Sequence, residues 1–150
     1  MSFKGEIQPN DANNDAFEEL FEAVVNWLAG DKTQLAVWLI QDDIDFSLIE
    51  PQPIGAQSPF PESDSVLAGS GLLIKLNLRN VENVIQLFTA NGRLKFEILH
   101  IQIESNGSVQ FATYDHFGYV LFGDEISIKM LETLKSRDVI DSYKLWDEPT

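Results

Sequence analysis

The chain has 150 residues, which suits one domain that buries its own core without disulfide bridges. It contains no cysteine, which excludes disulfides, thiolate metal sites, iron–sulfur clusters and cysteine nucleophiles. Its formal net charge is −14 at pH 7, and a chain this acidic repels the phosphates of nucleic acids and of anionic membranes.

The first thirty residues predict a flexible start followed by an amphipathic helix. Residues 1–13 are polar and lack the apolar core of a secretion signal, so we expect this part to be flexible and the protein to be cytoplasmic. The helix begins near Asn14 or Asp15, either of which can cap it, and ends at Gly30. Its apolar residues recur at helical spacing; they are Phe17, Leu20, Phe21, Val24 and Leu28.

A buried strand and a long loop follow this helix. Residues 34–41 form a short apolar run, which favours a central strand covered on both faces. Residues 42–65 have no periodicity and contain four prolines, which prevent a regular hydrogen-bonded ladder. The pattern leaves open whether this long, acidic, proline-rich loop is functional or disordered.

Residues 71–103 predict two strands with a helix between them. Apolar and polar residues alternate over 71–80, as in a half-buried strand. The helix is capped by Asn80 and stopped at Asn91 and Gly92. Its buried stripe is Val81, Val84, Ile85 and Phe88. In the next strand, the apolar positions change from even to odd numbers, which predicts a bulge near residues 98–99.

The stretch ESNGSV predicts a hairpin after this strand. A two-residue turn at Asn106 and Gly107 would place Ile103 opposite Gln110 and mix the two faces of the hairpin. A three-residue loop, Ser105 to Gly107, instead places Ile103 opposite Val109 and keeps the apolar face whole. We therefore favour the three-residue loop.

The remaining chain completes an α+β fold. Residues 119–123 predict a short strand, residues 124–137 a third helix capped by Asp124 or Ser127, and residues 139–146 a last strand. The predicted order is α-β-loop-β-α-β-β-β-α-β, a single domain of residues 1–150. We expect five to six strands in a mostly antiparallel, possibly mixed sheet.

The stretch YDHFG, residues 114–118, places a phenol, a carboxylate and an imidazole side by side. Histidine is a common general base, and a carboxylate can orient it. Successive strand residues point to opposite faces, however, so Asp115 cannot orient His116 if the strand continues. Gly118 favours a turn, and we interpret the stretch as structural. Tyr114, Asp115 and His116 stay candidates for a catalytic site.

His100 is the other histidine of the chain. The predicted hairpin places it opposite Ala112, and His116 lies four residues further along, about 13 Å away at the rise of a strand. Two histidines this far apart cannot share a metal ion, whose bonds to nitrogen are about 2.0–2.1 Å. We therefore predict no metal and no cofactor.

Acidic residues are concentrated in the first half of the chain. Residues 1–70 hold 13 acids and two bases, whereas residues 71–150 hold 11 acids and eight bases. The densest acidic group does not match the spacing of a calcium loop, so we expect a solvated surface. Together with two acids of the first helix it predicts a docking surface for a basic protein: Asp42, Asp43, Asp45, Glu50, Glu18 and Glu22.

These features favour a non-catalytic interaction module, small, acidic and bacterial in style. Complementary charge speeds association, so an inhibitor or immunity-like protein that binds a basic toxin or nuclease fits them. One alternative is a small enzyme or ligand binder with a pocket near Tyr114, Asp115 and His116. Another is a homodimer formed through an exposed strand edge.

Overall fold

The computed structural model describes residues 3–40, 44–60, 67 and 69–146. In this part of the chain, one sheet packs against a layer of helices, which makes the protein an α+β single domain. The helices are α1 (Ala16–Leu28), α2 (Val81–Thr89), the single turn α3 (Arg93–Phe96) and α4 (Ile128–Ser136). The strands are β1 (Phe3–Pro9), β2 (Thr33–Leu39), β3 (Gln52–Ile54), β4 (Ser70–Lys75), β5 (Ile98–Ser105), β6 (Ser108–Tyr114), β7 (Tyr119–Gly123) and β8 (Ile140–Leu145).

The eight strands lie in the order β3-β4-β2-β5-β6-β7-β1-β8, and every neighbouring pair is antiparallel. The predicted sheet of five to six strands, and its order α-β-loop-β-α-β-β-β-α-β, are therefore wrong. The two strands that the sequence pattern does not reveal are β1 and β3.

Both of these strands lack an apolar pattern for a physical reason. In β1, Ile7 is the one large apolar residue that is fully buried, and Gly5 lies so close to β8 that a Cβ would collide with the Lys144 carbonyl oxygen. Residues 3–9, expected to be flexible, therefore form an interior strand through backbone pairing. β3 lies at an edge of the sheet, where Pro53 needs no partner for a missing N–H.

The helices α1, α2 and α4 cover one face of the sheet and share one core with it. The rings of Phe21 in α1 and Phe88 in α2 stack with 5.0 Å between centroids. Phe46, from the segment after β2, contacts Phe88 at 5.5 Å. These contacts hold α1, α2 and residues 44–50 in one helical layer. The predicted stripe of α2 is buried throughout: Val81, Val84, Ile85 and Phe88.

The predicted ends of the helices are largely confirmed in position, although the side chains of Asp15 and Asn80 accept no cap hydrogen bond. α1 begins after Asp15. α4 begins after Ser127, whose Oγ accepts a hydrogen bond from the Met130 amide at 3.0 Å, which decides between the two predicted caps. α2 ends just before Asn91 and Gly92, which have positive φ angles of 54° and 70°. No helix of the described ranges is long and apolar enough to cross a membrane.

The opposite face of the sheet is covered by the segment after β3. Trp38 of β2 points to this face and shares a second, smaller core with Phe60 and Leu67. The indole Nε1 of Trp38 donates a hydrogen bond to the Gly55 carbonyl oxygen at 3.2 Å. Both faces of β2 are therefore buried, as predicted for a central strand.

The hairpin between β5 and β6 differs from the prediction. It turns through Asn106 and Gly107 alone, so the three-residue loop with Ile103 opposite Val109 is wrong. The register shifts by one residue after this turn, at Gln110. This bulge places Phe111 opposite Ile103 on the face of the main core, while Val109 and Ala112 pack in the smaller core on the other face.

The start of β5 also differs from the prediction, although its bulge is confirmed. The strand begins at Ile98, because residues 93–96 form the short helix α3. Two neighbouring residues of β2 pair with His100 and Ile98, which leaves Leu99 unpaired as a bulge. The change in apolar phase therefore has two causes, a helical turn and a bulge.

Gly71→Ala tests the packing of the segment after β3. Gly71 is buried in β4, and a Cβ there would lie 2.8 Å from the Gly55 carbonyl oxygen and 2.9 Å from the Trp38 indole nitrogen. Because these contacts are too short, we expect the segment to shift and the free energy of unfolding to fall by about 1–3 kcal/mol. Urea unfolding followed by tryptophan fluorescence measures the change.

Gly55→Ala is the matched control, since a Cβ at Gly55 would have no atom within 4 Å. We expect its free energy of unfolding to stay equal or rise slightly, because alanine reduces the entropy of the unfolded chain. Equal losses of stability in both variants would contradict this description of the second face.

Candidate functional site

The YDHFG stretch forms the turn between β6 and β7, the interpretation that the sequence favours. Three consecutive residues of this turn, Asp115, His116 and Phe117, have positive φ angles of 55°, 56° and 65°. A residue other than glycine in this left-handed region costs about 1–2 kcal/mol. Such a run therefore persists only where the surrounding structure holds it in place.

The turn is anchored both to the sheet and to the helical layer. The His116 amide donates a hydrogen bond to the Leu99 carbonyl oxygen at 3.0 Å, so the turn is attached to β5 at its bulge. Phe117 is buried, and its ring stacks on Phe17 of α1 with 4.7 Å between centroids. The turn thus connects β5 to the first turn of α1.

The structure brings His100 to this turn, contrary to the prediction. The shift at Gln110 sets the β5–β6 register so that the His100 and Tyr114 rings lie 5.6 Å apart. The Asp115 amide donates a hydrogen bond to Nδ1 of His100 at 3.2 Å. The predicted register, with His100 opposite Ala112 and far from the turn, is therefore wrong.

Burial controls the protonation of His100. The residue is 7% exposed, and desolvation lowers the pKa of its imidazole. The charge of Asp115 opposes this lowering of the pKa, and His116 adds to it. Burial also raises the pKa of Tyr114, so the neighbouring phenol keeps its proton at neutral pH. An imidazole nitrogen accepts a hydrogen bond only without a proton, so His100 is neutral here and carries its proton on Nε2.

A chain of polar side chains continues from the turn across the second face. The Tyr114 hydroxyl accepts a hydrogen bond from Nε2 of Gln102 at 2.9 Å. The Ser58 hydroxyl donates to Oε1 of Gln102 at 2.5 Å. Gln102 is fully buried. Neither Ser58 nor Gln102 stands out in the sequence; the one signal for this polar chain is a single amide between the isoleucines of β5.

The side chains of Asp115 and His116, two of the three candidate residues, are not hydrogen-bonded to each other in the described structure. The carboxylate therefore does not orient the imidazole as a general base requires. Nδ1 of His116 is buried and has no hydrogen-bond partner there. Residues 3–40, 44–60, 67 and 69–146 also contain no group of three or more His, Cys, Asp or Glu that could hold a metal ion.

A second candidate site lies on the outside of the helical layer. Its carboxylates come from α1, from α2 and from the segment after β2, which pack together through Phe88. All of them are exposed except one, which is half-buried. We call this surface the acidic face and define it as Glu18 (half-buried), Glu22, Glu82, Asp45 and Glu50.

Local hydrogen bonds position part of the acidic face. The Asp45 carboxylate accepts the Ser47 amide at 2.9 Å and so caps the 3-10 turn that follows. Hydrogen bonds from the side chain and the amide of Ser47 lower the pKa of Asp45. Glu50 ends this turn with a positive φ of 52°. Two predicted residues of this surface, Asp42 and Asp43, lie outside the described residues.

Several basic residues line cavities away from the acidic face. Three of them, Lys32, Lys75 and Arg79, line a cavity of about 370 Å³ at one end of β2 and β4. Lys129 and Arg137 line a groove of about 580 Å³ between α1 and α4. Two other bases lie close to the helices of the acidic face. Nζ of Lys95 donates a hydrogen bond to the Asn14 carbonyl oxygen just before α1 at 3.1 Å, and Arg93 donates one to the Leu87 carbonyl oxygen of α2 at 2.6 Å. The separation of the two signs of charge is therefore partial.

Comparison with known proteins does not place this chain in a family. No protein-family model, no curated protein and no solved structure matches it. The function must therefore be argued from the geometry of the two candidate sites.

Tyr114→Phe tests the polar chain of the second face. The substitution removes the hydroxyl that accepts the Gln102 hydrogen bond, so we expect the free energy of unfolding to fall by about 0.5–1.5 kcal/mol. Tyr119→Phe is the control, because Tyr119 pairs with Tyr114 across the turn and is 44% exposed. Urea unfolding measures both variants, and a larger loss in the control would contradict the assignment.

Proposed function

We propose that this protein is a non-catalytic interaction module whose acidic face binds a basic protein. One observation carries the proposal: α1, α2 and residues 44–50 together hold six carboxylates and no lysine or arginine. The sixth is Glu19, which pairs with Arg137 at 3.8 Å on the side of α1 that faces α4. Among the described residues, the other five form no ion pair with a lysine or arginine, and they make up the acidic face. One carboxylate oxygen of Glu18 is buried there without a hydrogen-bond partner.

The packing of the helical layer supports this proposal. Phe88 contacts both Phe21 and Phe46, so the three segments that carry the acids are fixed relative to one another. Carboxylates on fixed helices lose less conformational freedom on binding than carboxylates on a loose chain. The acidic face is therefore suited to a folded basic partner, whose lysines and arginines also have fixed positions.

The charge of the whole molecule supports the same kind of partner. With a net charge of −14, the chain attracts basic proteins over a distance and repels nucleic acids and anionic membranes. An inhibitor or immunity-like protein needs fast association, which complementary charge supplies. A cytoplasmic location belongs to this proposal, and the absence of cysteine agrees with it.

The turn between β6 and β7 supports a second candidate function, a small-ligand site. The observation that favours it is the buried Nδ1 of His116, which lacks a hydrogen-bond partner among the described residues. A thermal-shift panel of small carboxylic acids, phosphates and amines, run on the wild type and on His116→Ala, tests this candidate. A ligand that raises the melting temperature of the wild type alone supports it.

A triple substitution, Glu18→Gln, Glu22→Gln and Glu82→Gln, tests the acidic face. We expect association with the basic partner to slow by about tenfold, because the removed charges steer the encounter. The wild type and the variant serve as paired baits for affinity capture, and stopped-flow or surface kinetics then measure the association rate of each captured protein at several salt concentrations.

The matched control removes the same charge elsewhere, by Asp124→Asn, Asp138→Asn and Asp141→Asn. These three side chains are exposed and lie outside the acidic face. We expect the control to keep most of the wild-type association rate, because short-range steering depends on where the charges lie. The proposal fails if both triple variants slow association equally, or if the captured partners are not basic.

A further inference from the structure

The hydrogen bond between the Asp115 amide and His100 has a property that the other contacts of the turn lack. The His116 and Gly118 amides donate to backbone carbonyl oxygens, which accept hydrogen bonds at any ordinary pH. The Asp115 amide instead donates to Nδ1 of His100 at 3.2 Å. That nitrogen accepts only while the imidazole is neutral, so this contact depends on a titratable group.

The loss of this contact would destabilise the turn, because the backbone conformation of the turn is energetically unfavourable by itself. Asp115, His116 and Phe117 all have left-handed backbones, and only external contacts keep them so. A proton on Nδ1 of His100 would turn an acceptor into a donor and set two N–H groups against each other. The first of the three left-handed residues would then lose its hydrogen bond to the sheet.

The groups around His100 determine the pH at which its imidazole takes up a proton. From β6 the Tyr114 ring faces it, and from the turn Asp115 and His116 act on it. From β2 its partner is Trp38, which has no charge. The segment of residues 55–60, which covers this face, contains no titratable side chain. Desolvation and His116 lower the pKa of His100, and within the described residues Asp115 works against them.

We propose that His100 and the turn of residues 115–118 form a pH-sensitive contact, in which protonation of His100 breaks its hydrogen bond with the Asp115 amide and weakens the attachment of the turn to β5. The hydrogen bond from the His116 amide to the Leu99 carbonyl oxygen and the stack of Phe117 on Phe17 do not titrate, so the effect is local to the start of the turn. This pH-sensitive contact is a regulatory feature of the fold. It is independent of the proposed binding of a basic protein.

The direction of the pH effect follows from the lowered pKa of His100. The unfolded chain binds the proton first, near the ordinary histidine pKa of about 6.5. The stabilisation by neutral His100 is therefore complete above about pH 6.5 and is lost as the pH falls towards the pKa of the folded state. The Asp115 amide is therefore hydrogen-bonded to His100 at neutral pH, and this contact is lost in acid.

Amide hydrogen exchange measured by NMR tests the proposal on the full chain. We expect the protection factor of the Asp115 amide to fall about fivefold between about pH 7.5 and about pH 5, which corresponds to the loss of one hydrogen bond. The Asn106 amide, which donates to the Lys32 carbonyl oxygen in another turn, serves as the internal reference and should keep its protection.

Two variants separate His100 from other causes. In His100→Asn, the side-chain oxygen takes the place of Nδ1 and accepts at any pH, so the pH-dependent loss should disappear. In His116→Asn, which removes the other histidine, the loss should remain. An unchanged loss in His100→Asn, or no loss in the wild type, would overturn the proposal.

If His100→Asn does not fold, the protonation state of the two ring nitrogens of wild-type His100 tests the proposal. The proposal requires Nδ1 of His100 to be unprotonated and Nε2 to carry the proton at about pH 7.5. A nitrogen spectrum with the proton on Nδ1 at that pH would contradict it, whereas the required tautomer would support it.

Discussion

The fold depends on the burial of β2 on both of its faces. This strand lies inside an eight-stranded sheet, and every residue from Leu35 to Leu39 is buried. One face is covered by the helical layer and the other by the segment that carries Gly55 and Phe60. Both candidate sites follow from this arrangement, because the helical layer displays the acidic face and the second face buries His100.

The two faces have different electrostatic roles. On the helical side, apolar contacts through Phe88 hold segments whose carboxylates are exposed, except that of Glu18, so most of the negative charge stays hydrated. On the second face, Gln102 and His100 are buried and tied into hydrogen bonds. A buried polar group depends on its hydrogen bonds, since losing one leaves its desolvation uncompensated. The first face is therefore suited to recognition and the second to a response to protonation.

Elements with a strong apolar pattern could be predicted from the sequence, and elements made by backbone pairing could not. The apolar stripe of α2 fits a helix, and the short buried run of β2 fits a central strand. β1 is fixed by its pairing with β7 and β8, distant parts of the chain, which no local pattern reveals. The candidate turn was predicted, whereas the approach of His100 was not, because a bulge at Gln110 changes the register by one residue. The acids of the acidic face could be counted in the sequence, but their common surface depends on Phe88.

We expect the negative electrostatic potential of the molecule to be concentrated over the acidic face. NMR relaxation of the amide protons by two paramagnetic probes of equal size and opposite charge measures the local potential directly. We predict the highest ratio of cationic to anionic relaxation at the exposed amides of α1, α2 and residues 44–50, and lower ratios along the opposite face of the sheet. A ratio that is uniform over the surface, or highest on the opposite face, would contradict the account.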